Sequence, residues 1–460
     1  MSVAPRTKYR AALLELARLH EVDAALPMPY LAAQVSLSDL VDAGVPRASL
    51  YRMWETQYDF WVDLLRYLLL EHDFTQREQE LPWRATQRDR PTSRGRPSPG
   101  ELDVIVARRL NLLQRVVLAD IRVLIRAASL GYPDLADVQI IRRQVEAERL
   151  RSLATETCRA AAAADRTLPS VDAAIDVAAL HWSIGDGLSV LHHFHPSCAA
   201  PVTVDFGHGS IDWSLLALAT RAFRSGFSVP VAPGDEPIKI ETAQAPTGVE
   251  PDWTERQIQT LDIATQLFLR TVRDDAARWG SFRPSTAVLA HLTVARLASY
   301  AKVTRRTIYN AWPTRSEMLA DLLDDLLADR RREWLGALSQ ARSASGSLTL
   351  APVTDALVRL GSPDAVDPAL AFLIEPHNPA YRRSWKEQFD VLMAALRQHL
   401  GIHLRATGRR PRPGITVEHL GILWLCLING GQRLRRTGGH TTDHFGQAAD
   451  VIVEELTEPT

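Results

Sequence analysis

Residues 304–312 read Thr-Arg-Arg-Thr-Ile-Tyr-Asn-Ala-Trp, and residues 46–54 read Pro-Arg-Ala-Ser-Leu-Tyr-Arg-Met-Trp. Leu50, Tyr51 and Trp54 match Ile308, Tyr309 and Trp312 at a constant separation of 258 residues. Upstream, residues 35–40 (Val-Ser-Leu-Ser-Asp-Leu) match residues 292–297 (Leu-Thr-Val-Ala-Arg-Leu) at 257, as Pro27 matches Pro284. The first copy therefore lacks one residue between Leu40 and Ala43. A register held over such a length with a single gap reads as an internal duplication.

Each copy predicts two short helices around a tight turn. In the second, Thr293 caps a helix reaching Tyr300, its hydroxyl accepting from a first-turn N–H. Ala298 and Ala301 are small, as closely crossing helices require. A turn follows at residues 301–303. Thr304 caps a second helix carrying Arg305, Arg306, Thr307, Tyr309 and Asn310, which Pro313 ends. Residues 315–317 (Arg-Ser-Glu) open a long amphipathic helix to about Arg332. In the first copy Ser36 opens the leading helix, Gly44 supplies a positive φ for the turn, and Pro46 sits at a helix start, where its missing N–H costs nothing. This is the helix-turn-helix plan, whose second helix fits the DNA major groove. Arg305 and Arg306 are candidates for guanine edges or phosphates, and Thr307 for a thymine methyl or a phosphate. Tyr309 is expected to aim its hydroxyl at the DNA backbone while its ring packs inward. Arg47, Ser49, Tyr51 and Arg52 are the candidates in the first copy.

The 460 residues exceed one ordinary domain. A chain 46% hydrophobic and 23% charged is ordinary globular material. Its net charge of −1 speaks against a binder held by a global basic field, yet allows a small basic helix on a neutral body. Lys occurs only at Lys8, Lys239, Lys302 and Lys386, a skew towards Arg that runs through the whole composition. Cys158, Cys198 and Cys426 form no CxxC pair and no disulfide framework, which fits a reducing cytoplasm. There is no signal-peptide pattern and no apolar run long enough to span a membrane, so a cytoplasmic protein is expected. Helical periodicity recurs, as at Leu319, Leu322, Leu323 and Leu326. The best strand candidate is residues 202–206. The expected fold is all-α. Residues 81–100 and 228–251 read as linkers. The expected order is a first helix-turn-helix domain at 1–80, a helical body at 101–227, a linker at 228–251, a second helix-turn-helix domain at 252–332 and a second body at 333–460.

Residues 43–54 (Ala-Gly-Val-Pro-Arg-Ala-Ser-Leu-Tyr-Arg-Met-Trp) resemble the helix-turn-helix signature of TetR-type repressors: Ala-Gly-Val, a capping Ser or Thr, then Ser/Thr-Leu/Ile-Tyr, an aromatic, and a Lys opening the next helix. Ile308, Tyr309 and Trp312, behind Leu297, Ala298 and residues 301–303, resemble it too. Lys302 replaces the turn glycine in the second copy, and Pro46 the capping residue in the first. Gln57 stands near the family's phosphate-binding Lys, whereas Arg315 keeps the charge. Acidic side chains outnumber basic ones over residues 1–72, so the second copy is the better DNA binder by sequence. The resemblance implies DNA-binding heads on helical bodies that bind a small molecule and dimerise, the ligand shifting the heads and weakening DNA binding. The fused halves would form an internal pseudo-dimer, with further homodimerisation open, and fusion raises their effective concentration. His181-Trp182 followed by Gly185-Asp186-Gly187 resembles Trp424-Leu425 followed by Asn429-Gly430-Gly431, a region that leads into the family's dimer-forming helices. Trp182 and Trp424 are candidate effector-pocket residues.

Simpler readings compete. Either tyrosine alone reads as a core aromatic, and the two arginines as a solvated helix face. The shared register favours function. His192, His193, His195 and His208 share one segment, but adjacent histidines on a helix diverge and nothing completes a site, so no metal is expected. No hydrolase triad, phosphate loop or dinucleotide motif is present, so neither an enzyme nor a cofactor is expected. The expected function is sequence-specific binding to a double-stranded DNA operator by a repressor that an unknown small-molecule effector releases. The alternatives are a helical interaction protein whose heads have lost DNA binding, and an enzyme on a helical scaffold.

Overall fold

The computed structural model describes residues 4–19, 35–70, 98–118, 136–192, 195–232, 236–238, 240, 253–279, 293–344, 349–360, 379–436 and 442–460. Pro27, Pro284, His193, most of residues 81–100 and part of 228–251 lie outside these. The described chain is mostly helical. The first half holds α1 (Ala4–Leu19), α2 (Leu37–Asp42), α3 (Arg47–Met53), α4 (Gln57–Leu70), α5 (Pro99–Leu118), α6 (Ala136–Ala163), β1 (Arg166–Thr167), α7 (Val171–His192), β2 (Val202–Asp205), β3 (Ser210–Trp213), α8 (Leu215–Phe227) and β4 (Val229–Pro230). The second holds α9 (Glu255–Trp279), α10 (Val294–Tyr300), α11 (Arg305–Ala311), α12 (Arg315–Ala344), α13 (Ala351–Arg359), α14 (Pro379–Ala406), β5 (Arg409–Pro411), α15 (Val417–Arg436), α16 (Phe445–Leu456) and β6 (Thr457–Pro459).

The local chemistry of α2–α3 and α10–α11 matches. Ser36 accepts from the N–H of Asp39, whose carboxylate accepts from the N–H of Ser36. Thr293 accepts from Arg296 and Thr304 from Thr307. Pro46 occupies the cap of α3 with no side-chain bond. The turn residue is Gly44 at φ 93° in one copy and Lys302 at φ 54° in the other. The next N–H closes each turn, Val45 onto the carbonyl of Leu40 and Val303 onto that of Ala298. The missing residue shows as a helix α2 of six residues against seven in α10. The indole Nε1 of Trp54 donates to Asp63 at 2.8 Å, and that of Trp312 to Asp321 at 2.7 Å. α12 runs past Arg332 to Ala344 because its apolar positions continue into the body, where Trp334 and Leu338 are buried.

The leading helices are exchanged between the halves. Tyr9, Leu13 and Leu16 of α1 are buried with Leu297, Ile308, Trp312, Met318 and Leu322 of the second half. Leu261 and Ala264 of α9 are buried with Leu40, Leu50, Trp54, Phe60 and Leu64 of the first. Each small cluster thus takes one helix from the other half. Fully burying a leucine-sized side chain contributes roughly 1.5–3 kcal/mol, so these helices are integral to both clusters.

The remaining helices share one core. α7 and α15 pack on each other at its centre, flanked by α8 and α16. The contact is reciprocal under a separation of 243 residues: Gly187 meets the backbone of Cys426, and Gly430 meets that of Ser183. Both halves also close with the same clamp. β1 pairs antiparallel with β4, and β5 with β6. Arg166 binds the Ser228 hydroxyl and the carbonyls of Ser225 and Ser228, and Arg409 binds the Thr457 hydroxyl and the carbonyls of Glu454 and Thr457. Such short ladders were not expected from sequence. The strand expected at 202–206 is β2, which pairs with β3 in a hairpin that has no counterpart among the described residues of the second half.

Candidate nucleic-acid interface

α3 and α11 are each seven residues long, about two turns. Leu50 and Trp54 are four positions apart and face inward, as do Ile308 and Trp312; all four are buried. The register then forces the next residue outward. Tyr51 is 52% exposed and Tyr309 50%. The inward-packed ring expected for Tyr309 is therefore corrected: Ile308 and Trp312 already fill that side. Burial of apolar surface does not explain two large rings left outside at matched positions.

Around Tyr309 the face is polar. Thr293, Thr304, Arg305, Arg306 and Asn310 are exposed, and Thr307 and Arg315 are half-buried. Thr307 is tied to Thr304, hydroxyl to hydroxyl at 2.9 Å. Arg315 opens α12 beside this face.

Around Tyr51 the cations are occupied. Arg47 lies over the Tyr51 ring, 5.7 Å from its centroid, and Arg52 Nε donates to the carbonyl of Ala48 at 3.1 Å. Both are exposed, and Ser36 is half-buried. Ser49 is turned inward and buried, its hydroxyl accepting from Arg256 of α9 at 2.8 Å. Gln57, at the position matching Arg315, is not idle: its Oε1 accepts from the N–H of Leu37 at 2.8 Å and so holds the start of α2.

Trp182 and Trp424 lie on α7 and α15, away from these faces. Trp424 is buried, donates to Thr354 Oγ1 at 2.7 Å and lies 5.6 Å from the His399 ring. Trp182 is half-buried under Arg149, 5.8 Å away. Beside it, His181 packs edge-on against Phe223, 5.1 Å away; although the residue keeps some exposure, its Nε2 is enclosed with no partner. Burial pushes its pKa down to about 4. The His195 ring lies tilted against that of Phe389, 4.1 Å between centroids, while His208 is exposed at the tip of the β2–β3 hairpin. Among the described residues no group of three His, Cys, Asp or Glu is arranged to hold a metal, and no helix is long and apolar enough to cross a membrane. Sequence reading missed Arg6, Arg10 and Arg256, whose partners lie in the opposite half.

No protein-family model matches the chain, and no curated protein matches it.

Proposed function

We propose that the chain is a sequence-specific DNA-binding regulator of the TetR type, with α3 and α11 as the second helices of two helix-turn-helix heads and the halves acting as an internal pseudo-dimer. The observation that carries this reading is the matched pair of exposed faces centred on Tyr51 and Tyr309. A short helix backed by a buried aliphatic and a tryptophan can enter a major groove about 12 Å wide without disturbing its own core. On the second face Arg305 and Arg306 reach guanine edges or phosphates, and Asn310 an adenine edge. The tyrosine hydroxyls and Arg315 take phosphates, which sets position rather than sequence. The first face contributes less, because Arg47 and Arg52 are engaged on their own helix and Ser49 is buried. The operator is then asymmetric.

A small effector bound in the bodies releases the DNA by favouring a conformation whose faces no longer match two adjacent grooves. α12 is the element suited to carry that change. It starts at the Tyr309 face, and further along Arg330 binds Asn429 and Gln432 of α15.

The test is fluorescence anisotropy with labelled fragments, beginning with the DNA upstream of the protein's own gene. Binding that weakens steeply with salt is expected. No binding to any fragment at low salt would overturn the reading. It would favour instead a helical interaction protein, the alternative to which the occupied first face points.

A further inference from the structure

We propose that the exchange of α1 and α9 is selected by charge, at the paired positions 67 and 325, and that it locks the two tyrosine-bearing faces into one inseparable unit. The inference rests on contacts within the chain and stands apart from any DNA-binding role.

Apolar burial at the matched positions does not by itself specify the crossing. The two sockets are near copies: Leu50, Trp54, Phe60 and Leu64 in one, and Ile308, Trp312, Met318 and Leu322 in the other. At these positions both sockets offer an apolar surface to a leading helix. Selection must come from a term that differs between them.

Arg6 does not supply it. It pairs with Glu317 at 2.8 Å and with Asp321 at 3.7 Å, and the first half offers Asp59 and Asp63 at the same positions. Arg10 does. It makes a bidentate pair with Asp325, at 2.6 and 2.7 Å, and also donates to the carbonyl of Asp321. Fork-to-fork geometry makes this a strong form of ion pair, and the side chains are only about one-third exposed. Asp324 adds to the negative field around Arg10. In an uncrossed chain, positions 324 and 325 become Arg66 and Tyr67, so the arginine would lose its carboxylate and meet a like charge.

The reciprocal contact points the same way. Tyr67 donates to Asp262 of α9 at 2.5 Å. Uncrossed, Asp262 would face Asp325, two carboxylates with no proton to share. One exchange satisfies Arg10, Tyr67 and Asp262 together; reversal leaves Arg10 without a carboxylate and sets Asp262 against Asp325.

Arg10→Lys keeps the charge and places an amine where a carbodiimide couples only groups in direct ion contact. A specific protease site inserted within residues 241–250 of the full chain then separates the halves after coupling. We expect the two fragments to stay joined on a denaturing gel in R10K, and to separate in R10K/D325N. Fragments that separate in both would overturn the proposal. Thermal unfolding gives an independent readout. R10D and D325R singly should each lower Tm by roughly 3 °C or more, and the double variant should recover most of that. A double variant no more stable than the worse single would also overturn it. Neither readout involves DNA, so loss of DNA binding in other variants leaves this result intact.

Discussion

Gly430 lies directly against the backbone of Ser183, and no methyl group would fit between them. Its counterpart Gly187 meets Cys426 in the same way, so two glycines set how closely α7 and α15 approach. Gly430→Ala should destabilise the protein by about 3 kcal/mol in denaturant unfolding, because backbone rather than a flexible side chain must move. Gly336→Ala, on α12 with open space around it, should stabilise by about 0.5–1 kcal/mol. Equal effects from the two would show that the glycine contact does not control this packing.

Lys302 holds a left-handed turn that Gly44 holds in the other half. A side chain there costs roughly 1 kcal/mol. Lys302→Gly should therefore raise stability by about that amount, and Gly44→Ala should lower it similarly. Calorimetry on the two variants reads both signs.

If α11 enters a major groove, Arg305→Ala and Arg306→Ala should each weaken DNA binding and reduce the slope of log affinity against log salt by about one. Ser49→Ala should leave affinity unchanged, since that hydroxyl is buried against Arg256. It should cost about 1 kcal/mol in stability instead. A salt slope unaltered by both arginine changes would remove α11 from the interface.

The folded pKa of His181, about 4, lies below its ordinary value of 6.5. Between those two values the unfolded chain takes a proton that the folded chain refuses. Stability from this group is therefore present above about pH 6.5 and is lost as pH falls towards 4. Asp355 and Asp450, raised by burial, act in the opposite sense as they protonate. Comparing His181→Phe with the unaltered chain isolates the histidine. The variant should lose less Tm between pH 7 and 4.5. An identical pH profile would show that the ring is solvated in the folded state.

Much of the paired clusters was legible in sequence, because caps and turns are local. Thr293, Thr304 and Gly44 sit where their own chemistry puts them. The body register was legible in outline too, since His181-Trp182 and Gly185-Asp186-Gly187 match Trp424-Leu425 and Asn429-Gly430-Gly431; the close approach at Gly187 and Gly430 was not. The exchange was not legible, because a duplication makes the two sockets alike and the deciding differences are two adjacent positions, Arg66 and Tyr67 against Asp324 and Asp325. The inward turn of Ser49 was hidden for the same reason: its partner Arg256 belongs to the other half. The strand ladders escaped because two or three residues carry no periodicity; the Arg166–Ser228 and Arg409–Thr457 clamps were their only signal.

The crossed helices also set a timetable for biosynthesis. α1 is translated well before its seat: Asp325, the partner of Arg10, comes 315 residues later. At ribosomal speeds of about 5–20 residues per second, that interval is roughly 15–60 s. Throughout it Tyr9, Leu13 and Leu16 have only the first half's own socket to occupy, which is the wrong seat by charge. The newborn chain must leave that seat, or avoid it, before the finished one can form.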